Sequence, residues 1–165
     1  MRAEPKRPYY KKRKKARKRK TRDDWTVTDW KKCVWKLFSH YIRLRDCIET
    51  TGTSSTGKCV TCGRTYPFGK LQAGHFMPGR MDCILFEEQA VHAQCYRCNV
   101  TQSGMWPAYY IAMEKKYGFA WIASQLDKWD TDTKKYTINE LKAMEPYYKM
   151  EIARIEEAHL RREWK

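Results

Sequence analysis

Between Thr28 and about Thr50 the apolar residues recur at helical spacing: Trp30, Val34, Leu37, Phe38, Tyr41 and Ile42. That period predicts an amphipathic helix, with Thr28 as its N-cap and Gly52 as its stop. Residues 51–58 then read as a turn-rich linker, Thr-Gly-Thr-Ser-Ser-Thr-Gly-Lys. In the next block, 59–104, the helical period is lost at first. Residues 71–77 and 90–94 are short strand candidates, and Ala90, His92 and Gln94 share one face of the second. The loop between them carries Pro78, Gly79, Arg80, Glu87 and Glu88, and a helix is predicted from Cys95 to Gly104. Pro107 suits the first position of a helix that stops at Gly118, and residues 119–129 form a further short amphipathic helix. Thr137-Ile138-Asn139-Glu140 reads as a capping box opening the last helical region, which Pro146 is expected to kink or divide. There are no internal repeats. The pattern predicts an α+β fold, a small mixed centre wrapped by helices.

Charge changes the picture at one end. The chain of 165 residues has 34 Lys and Arg against 19 Asp and Glu, a net charge of +15. Residues 1–22 hold 13 of the basic residues and one acid, Glu4, or +12, which leaves +3 for the remainder. The run Lys11-Lys12-Arg13-Lys14-Lys15 and its continuation to Lys20 lacks the apolar content to offset the entropy of ordering. It reads as a disordered basic arm that neutralises phosphates by counterion release; a solubility tail or an anionic-membrane tether is the alternative. On the first helix Arg43 and Arg45 can contact phosphates or pair with Asp46. No apolar run approaches the ~18 residues of a membrane span, and no apolar stretch follows the basic N-terminus as in a secretory signal. The length suits one domain with extensions.

Four of the seven cysteines fall into two C-x-x-C pairs, Cys59/Cys62 and Cys95/Cys98, with 32 residues between the pairs. Two such pairs offer four thiolates to one tetrahedral ion, and a structural Zn²⁺ needs no open position. A block of this size has too small a core to hold itself, so the ion supplies much of its folding energy. A thioredoxin-type redox role fits poorly, because neither pair lies at a strand-to-helix turn of a βαβ unit. Cys33, Cys47 and Cys83 have no partner spacing and read as small buried hydrophobes.

Between the staples, His75 lies on the first strand, His92 on the second, and Asn99 directly after Cys98. A strand, loop, strand and helix on one zinc site can bring all three into one cleft. A base with oxygen or nitrogen ligands for a divalent ion is what metal-assisted phosphodiester hydrolysis requires. Singly, each residue has a commoner explanation, since a lone His is usually a structural hydrogen-bonder and an Asn after a zinc Cys is often a cap.

At these residues the chain resembles the phage NinG (Rap) recombination nucleases, a branch of the HNH, or ββα-metal, endonucleases. The resemblance is carried by Phe38-Ser-His-Tyr-Ile-Arg-Leu-Arg-Asp46, Cys59-x-x-Cys62-Gly, Ala73-Gly-His75-Phe, Phe86-Glu-Glu-Gln-Ala-Val-His92-Ala-Gln-Cys95-x-x-Cys98-Asn99, Ser103-Gly104, and the stretch from Tyr110 to Gly118. It covers about half the chain. The four cysteines followed by Asn also resemble phage endonuclease VII, a junction resolvase. Together with the charge and the helical periods this divides the chain into four regions: a basic DNA-binding arm (1–22), an amphipathic helix (23–50), a zinc-stapled core (51–104) that the resemblance makes HNH-like ββα, and a C-terminal helical region (105–165). The resemblance implies a structure-selective endonuclease on branched DNA, Holliday junctions included, that leaves a 5′-phosphate. His75 then matches the general base, Asn99 the ligand of a catalytic Mg²⁺ or Mn²⁺, and His92 a second ligand or phosphate contact.

Three positions depart from the HNH pattern. Gly74 stands where an acid or His usually precedes the base, so the missing ligand is expected from His92, Asp82 or Glu87. Ala90 replaces the central Asn, and Met105 an Asn after Ser-Gly. Ala90 favours the alternative, a zinc module that only binds DNA. An RNA-binding zinc protein would leave His75 and His92 unexplained. Arg43, Arg45, Arg80 and Arg97 join the arm as candidate DNA contacts. Symmetric cleavage of a junction would need a homodimer. The expected location is the cytoplasm, that of the host cell for a phage-encoded protein.

Overall fold

The computed structural model describes residues 21–163. The expected arm contacts Lys11, Lys12, Arg13, Lys14 and Lys15 lie outside the described residues. Arg22, read from sequence as part of that arm, belongs to the folded body: it bonds Glu145 and packs over the rings of Trp25 and Trp30.

Helix α1 (Val27–Thr51) starts two residues earlier than Thr28 would set it, because the capping box is Thr26 with Asp29. Asp29 accepts from the Thr26 N–H at 3.0 Å and returns its own N–H to the Thr26 hydroxyl. Only the Thr three residues before an acid can close both bonds. Gly52 ends the helix as expected, in the left-handed conformation (φ 73°), its N–H on the Ile48 carbonyl. The linker expectation for 51–58 fails in part: Thr56–Lys58 is strand β1, paired antiparallel with β2 (Thr65–Pro67). These two strands carry the first cysteine pair in the turn between them.

Strands β3 (Leu71–His75) and β4 (Val91–Cys95) form a second antiparallel hairpin, with Ala73 opposite Ala93, Gly74 opposite His92 and His75 opposite Val91. Within their loop a short helix, α2 (Asp82–Leu85), was not predicted. Ala90 sits just before β4, its carbonyl accepting from the Phe76 N–H at 2.7 Å. The helix expected over 95–104 is one π-helical turn, Arg97–Thr101. It cannot continue because Ser103, Gly104 and Met105 all take positive φ. Then follow α3 (Trp106–Tyr117), α4 (Phe119–Thr131) and α5 (Ile138–Glu163). Thr137 and Glu140 do form the capping box of α5. Pro146 does not divide that helix, since Leu141 and Met144 before it and Tyr148 and Ile152 after it all pack in the core shared with α1.

The hairpin β3–β4 lies between two cores. Ala73 and Val91 pack against Val34, Phe38 and Ile42 of α1 and against α5, while Phe76 and Ala90 pack with Ile84, Tyr109, Met113 and Ile122. Cys47 and Cys83 are buried as expected, whereas Cys33 is half-buried. Among the described residues no helix is long and apolar enough to cross a membrane.

A buried ionic knot ties α1 to the hairpin. The Asp46 carboxylate, 4% exposed, accepts from the Ala93 N–H at 2.6 Å and lies 3.1 Å from His92 Nδ1 and 2.7 Å from the Arg45 guanidinium. Burial alone would raise its pKa, but the bonds from His92, Arg45 and Ala93 outweigh burial and hold it below the ordinary carboxylate range. Asp46→Ala leaves a buried guanidinium and a main-chain N–H without their acceptor, and is expected to cost about 3–5 kcal/mol in urea unfolding of the metal-loaded protein. Because the folded-state pKa is depressed, the stabilisation is complete above the ordinary value of 3.8 and is lost as pH falls through the lowered one. The stability gap between wild type and Asp46→Asn should therefore narrow below that pH.

Candidate functional site at the free edge of the hairpin

The four cysteines converge. The sulfurs of Cys59, Cys62, Cys95 and Cys98 all lie within 4.8 Å of one another, three of the residues buried and Cys62 half-buried. Zn–S bonds of about 2.3 Å fit a cluster of that size, so it can hold a structural metal such as zinc. The Cys59 thiol, pushed up by burial, is brought down to about 7 by bonds from Thr61 and from main-chain N–H groups. One consequence is positional: the π-helical turn that carries Cys98 also carries Asn99.

The pairing geometry of the hairpin sets which chemical groups face outward. Ala93 uses both main-chain groups on the outer edge of β4, its N–H on Asp46 and its carbonyl accepting from the Val60 N–H at 2.9 Å. In an antiparallel ladder the residue opposite then also turns its main-chain groups outward. Ala73, and by the period of two Leu71 and His75, therefore direct N–H and C=O toward the free edge of β3. A cleft of about 340 Å³ runs along this edge, lined by Trp35, Ser39 and Arg43 of α1, Gln72 and Ala73, Arg80 and Asn99. A second groove, lined by Lys32, Lys36, Trp35 and Arg80, shares two residues with it, so a basic line follows α1 into the cleft.

His75 is half-buried at the end of this edge. Its ring stacks on Trp35 (centroids 5.0 Å apart, planes 13° apart), and Nε2 lies 3.1 Å from the Leu85 carbonyl. A carbonyl only accepts, so Nε2 carries the proton and Nδ1 keeps its lone pair. Burial, partly countered by that bond, and the charge of Arg80 push the His75 pKa down to about 4. The ring is neutral at neutral pH. Arg80 lies over the Trp35 ring at 4.3 Å, and Arg43 lies over Phe68 at 4.4 Å with Nε on the Ser39 carbonyl.

On the opposite face of the hairpin Asn99 donates its amide to Gln72 Oε1 at 2.8 Å. Neighbouring residues of a strand alternate in face, so His75 and Asn99 flank the free edge from its two sides.

His92 does not join them. It is 2% exposed, with Nδ1 3.1 Å from both Asp46 and Arg45 and its ring beside Tyr117 and Tyr109. Its place as a metal ligand beside Asn99 is corrected to a part of the Asp46 knot. Arg45, expected on phosphate, is held in the same knot by Asp46 and by the carbonyls of Glu88 and Val91. Asp82 and Glu87, the other sources considered for the missing ligand, are paired with Lys31 and Lys128. Arg97 is exposed beside the cysteine cluster, on the rim of a separate pocket. Trp35, Ser39 and Gln72 had no sequence signal of their own, because only the register and the packing of α1 bring them to the edge.

Ala90 also has a clear place. It is 1% exposed and packed in the core with Phe76 and Tyr109, while the Leu85 carbonyl and Trp35 orient His75. No curated protein and no solved structure matches the chain. The family model described as Bacteriophage Lambda NinG protein matches residues 2–158, nearly the whole sequence, and the protein belongs to the NinG family.

Proposed function

We propose that the chain is a metal-dependent DNA endonuclease of the HNH, ββα-metal, kind, selective for branched DNA such as Holliday junctions formed in phage recombination. The observation that carries this reading is His75: a neutral imidazole with a free Nδ1, bonded to the Leu85 carbonyl and stacked on Trp35, which itself lines an open basic cleft. Arg43 and Arg80 hold the DNA backbone at the strand edge, and the outward N–H of Ala73 offers a phosphate a further donor. His75 Nδ1 takes a proton from the attacking water while Nε2–H stays on the Leu85 carbonyl, so charge forming on the ring is stabilised in place. Asn99 would hold Mg²⁺ or Mn²⁺ through Oδ1, the amide oxygen left over once its NH₂ bonds Gln72. When bound, such an ion neutralises the phosphoryl oxygen and the leaving oxygen. The four cysteines hold Zn²⁺ as a structural ion. The basic arm adds phosphate contacts, and two chains would supply the two cuts of a junction.

Incubation with Mg²⁺ or Mn²⁺ and linear, flap or four-way-junction DNA tests the reading: the branched substrates should be cut and leave 5′-phosphates. Binding without cutting on every substrate would move the protein to the alternative, a zinc DNA-binding module. His75→Ala should lower cleavage by ~10²–10⁴ while zinc content and DNA affinity stay unchanged.

Since a base must be unprotonated and His75 is held at about 4, kcat/KM should stay level through pH 6.5 and fall only toward the lower value. An acid limb near 6.5 would count against His75 as the base.

For the zinc, Cys95→Ser should reduce bound metal from one equivalent per chain to near none and abolish the cooperative melt. A metal-free preparation that melts cooperatively would refute the staple.

A further inference from the structure

The hairpin contains a buried oxygen that the fold leaves unused. Gln94 is 0% exposed, and its Nε2 donates to the Gly104 carbonyl at 2.9 Å and to the Thr61 hydroxyl at 3.4 Å. Only the nitrogen end of the carboxamide can face a carbonyl at that distance, so the orientation is set and Oε1 points the other way. That oxygen is buried and has no hydrogen-bond partner. Its neighbour is the bare Cα of Gly74: a Cβ there would come within 1.9 Å of Gln94 Oε1 and 3.1 Å of Asn99 Oδ1. Asn99 has already given its NH₂ to Gln72. Two amide oxygens, one from β4 and one from the π-helical turn, thus converge on the space that a side chain at position 74 would occupy. A buried acceptor with no donor is unfavourable, and a cation held between it and the half-buried Asn99 oxygen supplies its partner.

We propose that Gln94 Oε1 is the second protein ligand of the divalent cation, paired with Asn99 Oδ1, and that Gly74 lacks a side chain so that this carboxamide can take the ligand's place. The assignment rests on the nuclease reading for the identity of the site. Hard cations such as Mg²⁺ and Mn²⁺ accept amide oxygens and retain several waters. Two neutral ligands make a weak site, which phosphate oxygens of bound DNA complete.

The probe is Mn²⁺ alone, titrated into zinc-loaded, full-length protein and followed by the electron paramagnetic resonance of free Mn²⁺, with and without uncleavable junction DNA. Gln94→Ala and Asn99→Ala should each weaken binding by about tenfold or more, and Gly74→Asp in the Gln94→Ala background should restore it, because a carboxylate then fills the vacated space. Zinc content and thermal unfolding of each variant show whether the fold is retained. A folded Gln94→Ala protein with wild-type Mn²⁺ affinity overturns the assignment, as does wild-type protein that binds no Mn²⁺ even with DNA. Should Gln94→Ala fail to fold, Mg²⁺ titration of the wild type decides: the Gln94 side-chain carboxamide resonances must shift, and unmoved resonances overturn the assignment. Mn²⁺ binding that depends on Gln94 in a protein that cuts no DNA would instead count against the nuclease reading and leave the ligand pair standing.

Discussion

Ala93 has no functional side chain, yet its two main-chain groups decide which edge of the hairpin is open. Its N–H is taken by the Asp46 carboxylate of α1, and its carbonyl accepts from Val60, beside the first cysteine pair. Both locks sit on the outer edge of β4. The helix and the cysteine cluster therefore close that edge together, and the main-chain groups of Ala73 face outward on β3. A buried carboxylate is tolerated here because four donors surround it. The cleft, the stacking of His75 on Trp35 and the arrival of Arg43 at the strand edge all follow from where this knot holds α1.

The two histidines of the hairpin show how a single residue of register separates roles. His75 and His92 lie on opposite faces, since His92 pairs with Gly74 and His75 with Val91. One is enclosed by an acid, an arginine and two tyrosines, with its ring nitrogens directed into the fold. The other is fixed at one nitrogen by a carbonyl and keeps the second free. A similar division applies to the basic residues. Arg22, Lys31 and Arg45 serve internal carboxylates and carbonyls, Arg80 rests over Trp35 at the cleft, and Arg43 rests over Phe68 there with bonds to the Ser39 and Leu71 carbonyls. A guanidinium held by an aromatic face keeps most of its N–H groups for another partner, which is what a phosphate site requires.

Polar satisfaction is otherwise close to complete, and its exceptions are few. Among the described residues, the buried side-chain atoms without a partner are Gln94 Oε1 and Gln125 Oε1. Only the first lies beside a candidate site residue and beside a glycine whose missing side chain leaves room. In the NinG chain described here the departure at Gly74 is thus structural: the space is filled, from the other strand, by a neutral amide. Ala90 is explained in the same terms, because the Leu85 carbonyl and the Trp35 ring orient His75.

The amino-acid sequence by itself determined the local elements and the staple. Helical periods located α1 and α4, Pro107 and Gly118 bracketed α3, the Thr137–Glu140 box opened α5, and the two C-x-x-C pairs named all four residues of the cysteine cluster. Such signals depend on neighbours a few positions apart, so they survive without knowledge of the fold. The strand β1, the short α2, the reduction of the 95–104 helix to Arg97–Thr101 and the continuity of α5 through Pro146 were not legible, because each depends on more than the local pattern. Register decided the site. Which histidine is free, which arginine is enclosed and which oxygen is left without a donor turn on a pairing in which one residue of slip exchanges the two faces of the sheet. That choice was made only in the tertiary structure, where α1 and the cysteine cluster lock the outer edge of β4 and leave β3 open.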